Sequence, residues 1–234
     1  MRLSIHHHLG LGDHLDCNGM VRFFLDQGGY DTVFVFSKIR YFDMIKYMYR
    51  DEDRIKVIKI DEKKDELVQV RNFVKATKPE FSLRVGFENY PTGQEELLDK
   101  NCWELFYEQM LVPYNVRVDC FGFDRDLKEE KRVLKKLNPE GKPFIFLHED
   151  VFRGFTIDRS KIDSDLVIIE NDVTENIFHF IKILEEAEEI HCMESSFKSL
   201  IDIYAKTDKI FYHDFRNQPL GKHTNKEWNI VSYG

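Results

Sequence analysis

The sequence predicts an α/β protein built as two halves, each a parallel sheet with helices on both faces, the two sheets facing a central cleft. Three observations carry this. Strand-like and helix-like segments alternate along most of the chain, as a parallel sheet with crossover helices requires. Runs such as "TVFVF" (32–36) and "FIFL" (144–147) are apolar at every position, the mark of strands buried on both faces. The alternation breaks once, near Asn115 to Gly122, and then restarts, which sets halves at 1–119 and 120–234.

In order, "RLSIHHH" (2–8) alternates and stops at glycine, a short strand. From His14 to Gln27, Leu15, Val21, Phe24 and Leu25 fit one face of a helix that the glycines at 28 and 29 end. Strands at 32–36, 54–60 and 81–87 alternate with helices at 41–50 and 62–77, and "CWELFYEQM" (102–110) is a further helix. The second half reads helix 127–137, strand 144–150, strand 166–170, helix 175–190 running into a short strand at 190–192, helix 195–206, and a last strand at 209–215.

The 234 residues suffice for one large domain or two small ones, and 20 Phe and 10 Tyr can fill their cores. A net charge of −8 argues against non-specific nucleic-acid binding, which needs many Lys and Arg contacts to phosphate, while leaving room for a local basic pocket. Cys17, Cys102, Cys120 and Cys192 form no CxxC pair and read as isolated thiols of a reducing compartment. No apolar run approaches the roughly 18 residues of a transmembrane segment, and "MRLSIHHHLG" lacks a signal-peptide apolar region. The expectation is a soluble, cytoplasmic protein.

Ligands of such sheets sit beyond the carboxyl ends of the strands. Polar residues collect there: His6 to Asp13, His148 to Arg153, Glu170 to Asp172, and Cys192 to Ser196. Gly10-Leu11-Gly12 permits a tight turn and a close backbone approach to a ligand, before a helix N-terminus that suits an anion. Leu15 stands where a dinucleotide fingerprint needs its third glycine, and no Gly-Lys-Ser/Thr follows. Asp13 is either the helix N-cap or a general base. His6, His7 and His8 do not read as a metal site, since on a strand only His6 and His8 can share a face. Arg153, beside Gly154, either grips phosphate or pairs with Glu149 or Asp150. Ser195 and Ser196 open a helix, as plain caps or as an anion site.

Together these segments resemble the GT-B class of glycosyltransferases, near its heptosyltransferase-like branch. The resemblance rests on Gly10-Leu11-Gly12-Asp13 after the first strand and on Glu194-Ser195-Ser196 before an apolar helix, with Glu and Ser where the class has Asp and Gly or Ser. The chain is short for the class. The resemblance implies two Rossmann-like halves, the first taking a glycan or lipid-linked saccharide acceptor and the second a nucleotide-sugar donor. Asp13 then acts as base on the acceptor hydroxyl, with inversion and no bound metal or other cofactor, and His14 is a candidate assistant. Gly10, Gly12, His148, Arg153, Glu170, Glu194, Ser195 and Ser196 are the candidate nucleotide-sugar contacts. Two rivals are an epimerase or hydrolase using His148, Glu149 and His213, and a binding module without turnover.

Overall fold

The computed structural model describes residues 1–87, 100–162, 165–216, 220 and 224–233. It divides into two compact units, Met1–Asp124 with Pro219–His223, and Arg125–Gln218 with Thr224–Gly234. The first contains β1 (Arg2–His6), α1 (Leu11–Gln27), β2 (Thr32–Lys38), α2 (Phe42–Met48), β3 (Ile55–Ile60), α3 (Glu66–Thr77), β4 (Phe81–Arg84), α4 (Cys102–Gln109) and α5 (Val116–Asp119). The second contains α6 (Leu127–Leu137), β5 (Phe144–His148), β6 (Val167–Glu170), α7 (Ile181–Glu186), β7 (Glu189–Met193), α8 (Ser196–Tyr204), β8 (Ile210–Asp214) and β9 (Asn229–Ser232).

Among the described residues every pairing between strands is parallel. The first sheet has the order β3-β2-β1-β4 and the second β6-β5-β7-β8-β9. Both are doubly wound, Rossmann-like orders that reverse direction once. The reversal falls between β1 and β4 in the first and between β5 and β7 in the second, and such switch points are where open α/β sheets leave a crevice for ligands. The strands beside them are buried on both faces: Ile145, Phe146 and Leu147 make β5 apolar throughout, while β1 sets Leu3 and Ile5 on one face and the buried polar Ser4 and His6 on the other.

Helix α1 departs from the sequence reading. It starts at Leu11 rather than His14, and it is buried along most of its circumference rather than on one stripe. Two of the polar residues this buries, Asp16 and Asn18, have partners. Asp16 accepts from Arg117 Nη1 at 3.0 Å, and Asn18 exchanges two hydrogen bonds with the backbone of Gly122. The Tyr107 hydroxyl donates to Asp16 O and accepts from Met20 N, groups that an α-helix would join directly. Gly19 is required by closeness: a Cβ there would lie 2.3 Å from Val116 O of α5. This contact draws the expected seam at 115–122 into the first unit, so the boundary stands at Asp124 and Arg125 instead of 119/120.

Two further elements differ in the second unit. The helix expected over 175–190 is a 3-10 turn at Ile177–Phe180 followed by the short α7, and the chain turns extended at Ala187 to enter β7. The strand at 210–214 is not the last, since β9 pairs beside it. No helix among the described residues is long and apolar enough to cross a membrane.

Candidate functional site

At the switch point of the first sheet, β1 ends in three histidines. His6 stacks on Phe87 at 4.6 Å and bonds Glu66, and His8 meets the same Phe87 ring edge-on and bonds Gly86 O. His7 points to the other face and meets His14 of α1, ring centres 4.5 Å apart. Strand alternation dictates this division. Gly86 has φ +80°, and a Cβ there would lie 2.4 Å from the Phe106 ring. That glycine lets β4 turn back under His8.

His14 is fully buried, and neither ring nitrogen has a hydrogen-bond partner among the described residues. Burial holds its pKa well below the ordinary value, as it holds that of His7, at about 4. A histidine kept neutral by desolvation does not titrate near pH 7. The titration near neutrality expected of His14 is at odds with this burial.

Asp13 does not cap α1. The cap position is Gly10, which has no side chain to offer, and Asp13 is the third helical residue. Its carboxylate folds back over Gly10, where a Cβ would stand 2.6 Å from Oδ2. Gly10 is thus glycine so that the carboxylate can lie there. The other oxygen accepts from Trp103 Nε1 at 3.2 Å. Burial raises the pKa of Asp13, against the opposing pull of His8, Trp103 and the Gly10 amide. A carboxylate raised by desolvation at a strand end has the character of a general base. Gly12 lies in the first turn of α1 beside it.

At the switch point of the second sheet, three adjacent strands end together. His148 closes β5, with Nδ1 2.7 Å from Asn171 Oδ1 and its ring 4.6 Å from that of Phe197 in the first turn of α8. Burial lowers its pKa. Glu194 accepts from Lys198 and from the Tyr212 hydroxyl, at 3.0 and 3.1 Å. Ser195 caps α8, accepting from Phe197 N, and Ser196 is the first helical residue. The amide of Ser196 and the positive end of α8 face the rim.

Glu170 and Arg153 do not meet at this point. Glu170 is held by Arg159, which also bonds Glu149, and Arg153 pairs with Asp150 through Nε at 2.5 Å. Glu149 and His213, the groups an epimerase would need, are likewise engaged. Glu149 takes the amide of Ile157 and Arg159. His213 is buried with its pKa lowered to about 3, between His191 and Tyr233. Sequence reasoning missed Trp103, Asn171, Phe197 and Arg159. Only Trp103 carried a signal, as one of two tryptophans in the chain. Among the described residues, no group of three or more His, Cys, Asp or Glu is placed to hold a metal ion.

Compared with solved structures, the chain is similar over 99% of its length to a family 9 glycosyl transferase from Veillonella parvula, with TM-score 0.61, 6% identity and 86% of that chain covered. It is similar over 99% of its length to the ADP-heptose lps heptosyltransferase II of E. coli, with TM-score 0.56, 6% identity and 90% coverage. The E. coli heptosyltransferase WaaC, solved with ADP, matches with TM-score 0.51, 10% identity and 91% coverage. The chain shares their fold. The two Rossmann-like halves expected from the sequence are therefore shared with these structures at 6–10% identity. No family model matches the chain, and no curated protein matches it.

Proposed function

We propose that the chain is an inverting glycosyltransferase that moves a sugar from a nucleotide-sugar to a hydroxyl of a glycan or lipid-linked saccharide. The observation that carries this reading is Asp13: a carboxylate at a switch point, raised by burial, held between the Gly10 amide and Trp103. Asp13 takes the proton of the acceptor hydroxyl as its oxygen attacks the anomeric carbon. The bond from that carbon to the nucleoside diphosphate breaks on the opposite face, its electron pair leaves with the diphosphate, and the configuration inverts.

The second half binds the donor. Its diphosphate lies against the N-terminus of α8 at Ser195 and Ser196, and Arg153, on leaving Asp150, reaches it from the loop after β5, so its charge is met without a resident metal. His148 and Phe197 form the wall beside it. Glu170 and Glu194 line the rim as hydroxyl acceptors. The solved relatives named for ADP-heptose and ADP favour an ADP-linked donor.

The test is a thermal-shift screen against ADP, GDP, UDP, CMP and their sugar conjugates, since a ligand of the native state raises the midpoint by mass action. A selective shift with one nucleoside diphosphate is expected, and Arg153→Ala and Ser196→Ala remove it. Release of that diphosphate then requires a saccharide acceptor. No shift with any nucleotide, on folded protein, overturns the reading. Binding without turnover on any acceptor points to a binding module instead.

A further inference from the structure

We propose that Arg216 joins Arg153 to form a two-guanidinium site for a diphosphate group, mounted on a ladder of aromatic rings at the rim of the second sheet. The proposal rests on the reading of that half as the donor side, and extends it to a residue that neither the motifs nor the resemblance identified.

The site is built from the ends of three strands. Strand β8 ends at Asp214, whose carboxylate takes the amide of Arg216 at 3.0 Å and fixes the turn that follows. Phe215, between them, stacks on Tyr233 just beyond β9, ring centres 4.2 Å apart and planes 24° apart. Its ring also stacks with Phe155 at 5.5 Å and 29°. Phe155 reaches the rim because the loop after β5 doubles back. Gly154 has φ +77°, and Asp150 and Phe155 exchange both backbone hydrogen bonds at 3.0 Å. The ladder is anchored from below. The Tyr233 hydroxyl accepts from Asp158 N and contacts His213 Nδ1 at 2.7 Å, and His213 continues through His191 to Glu189, all three buried.

Both arginines converge on the top ring. The guanidinium carbon of Arg216 lies 5.3 Å and that of Arg153 5.6 Å from the centre of Phe155. Two like charges drawn to one ring repel unless an anion joins them. Asp150 balances Arg153. Asp214 spends its carboxylate on the Arg216 amide, and no carboxylate pairs with the Arg216 guanidinium among the described residues, so its N–H edge stays open at an exposed rim. Lying over a ring, a planar guanidinium keeps its N–H edge for oxyanions, and two such forks suit a group with several oxygens. The position is also right, since β8 lies beside β7, whose end leads into the α8 N-terminus.

The experiment is calorimetric titration of the full chain with inorganic pyrophosphate, ADP and adenosine, using wild type, Arg216→Ala and Arg216→Lys. Arg216 is exposed, and an unchanged melting midpoint checks that the variants fold. Wild type is expected to bind pyrophosphate and ADP. Arg216→Ala weakens both about tenfold, the scale of one exposed charge-assisted contact, and leaves adenosine unaffected, while Arg216→Lys recovers only part. If pyrophosphate does not bind, or binds Arg216→Ala as it binds wild type, the site is refuted, even where ADP binding leaves the donor reading standing. Pyrophosphate binding that depends on Arg216, with no nucleotide bound, upholds the anion site and refutes the donor reading.

Discussion

At the first switch point a carboxylate and buried histidines sit among aromatic rings, and burial works against their charge: Asp13 is pushed up, His7 and His14 down. At the second, charge is plentiful, exposed and mutually compensated, with Arg159 between Glu149 and Glu170, and Arg153 on Asp150. The first is a low-dielectric environment in which a small change of structure moves a pKa. The second is a solvated ionic rim in which neighbours and dissolved salt share each charge. One suits proton transfer, and the other suits reversible capture of a charged ligand.

The sharpest way to break this contrast is Asp13→Asn. In the proposed reaction it removes the base, and kcat should fall roughly 10²–10⁴-fold. Stability should move the other way. The folded pKa lies above the unfolded one, so between the two the unfolded chain holds fewer protons and stability falls as pH rises through that window. Asn removes this penalty, and its melting midpoint at neutral pH should equal or exceed wild type. An inactive variant that also melts lower would make Asp13 a structural residue.

The same contrast predicts unequal costs for breaking ion pairs. Asp16 and Arg117 pair inside the first half, 1% and 4% exposed. Asp16→Ala takes a carboxylate away from a buried guanidinium and should cost about 3 kcal/mol in urea unfolding. Arg159→Ala, at the rim of the second half, should cost under about 1 kcal/mol, although it removes contacts to two carboxylates. Comparable losses would mean that the rim is as rigid as the core.

A third test uses salt. Raising ionic strength from low to about 0.5 M should weaken nucleoside diphosphate binding severalfold by screening exposed arginines. It should leave the pH dependence of turnover, set by buried groups, nearly in place. Salt-independent binding would place the diphosphate somewhere other than this rim.

How much of this was readable beforehand follows the same physics. Strands such as 144–147 were legible because burial on both faces leaves a local mark, whereas the tight turn expected at 10–12 is the start of α1, with Gly10 at its cap and Gly12 already helical. The start of α1 was not, because glycine at its cap gives no polar signal and Asp13 three residues later imitates one. Strand β9 was missed because "NIVS" is short and follows polar, glycine-containing sequence; it is a strand by virtue of pairing with β8. At the proposed sites, Asp13, His148, Ser195 and Ser196 were singled out from their places after strands. Trp103, Phe197 and Arg216 were not, since each acts through a neighbour distant in sequence. The pairing of Arg153 with Asp150 was one of the two alternatives its spacing allowed, whereas the hold of Arg159 on Glu170 depends on which rotamer meets which partner.

The smallest effect tests the most specific part of the comparison. Trp103→Phe keeps a ring at the start of α4 and deletes the N–H that bonds Asp13 Oδ1. That bond favours the ionised carboxylate, so its loss should raise the Asp13 pKa further, while burial, the main cause of the shift, persists. The acid limb of the kcat profile should move to higher pH, with kcat on the plateau falling by no more than about fivefold, the scale of one hydrogen bond. A purely structural role for Trp103 would lower kcat equally at every pH. A limb that stays in place while kcat falls would separate Trp103 from the base, and a limb that moves would identify Asp13 as the group that titrates.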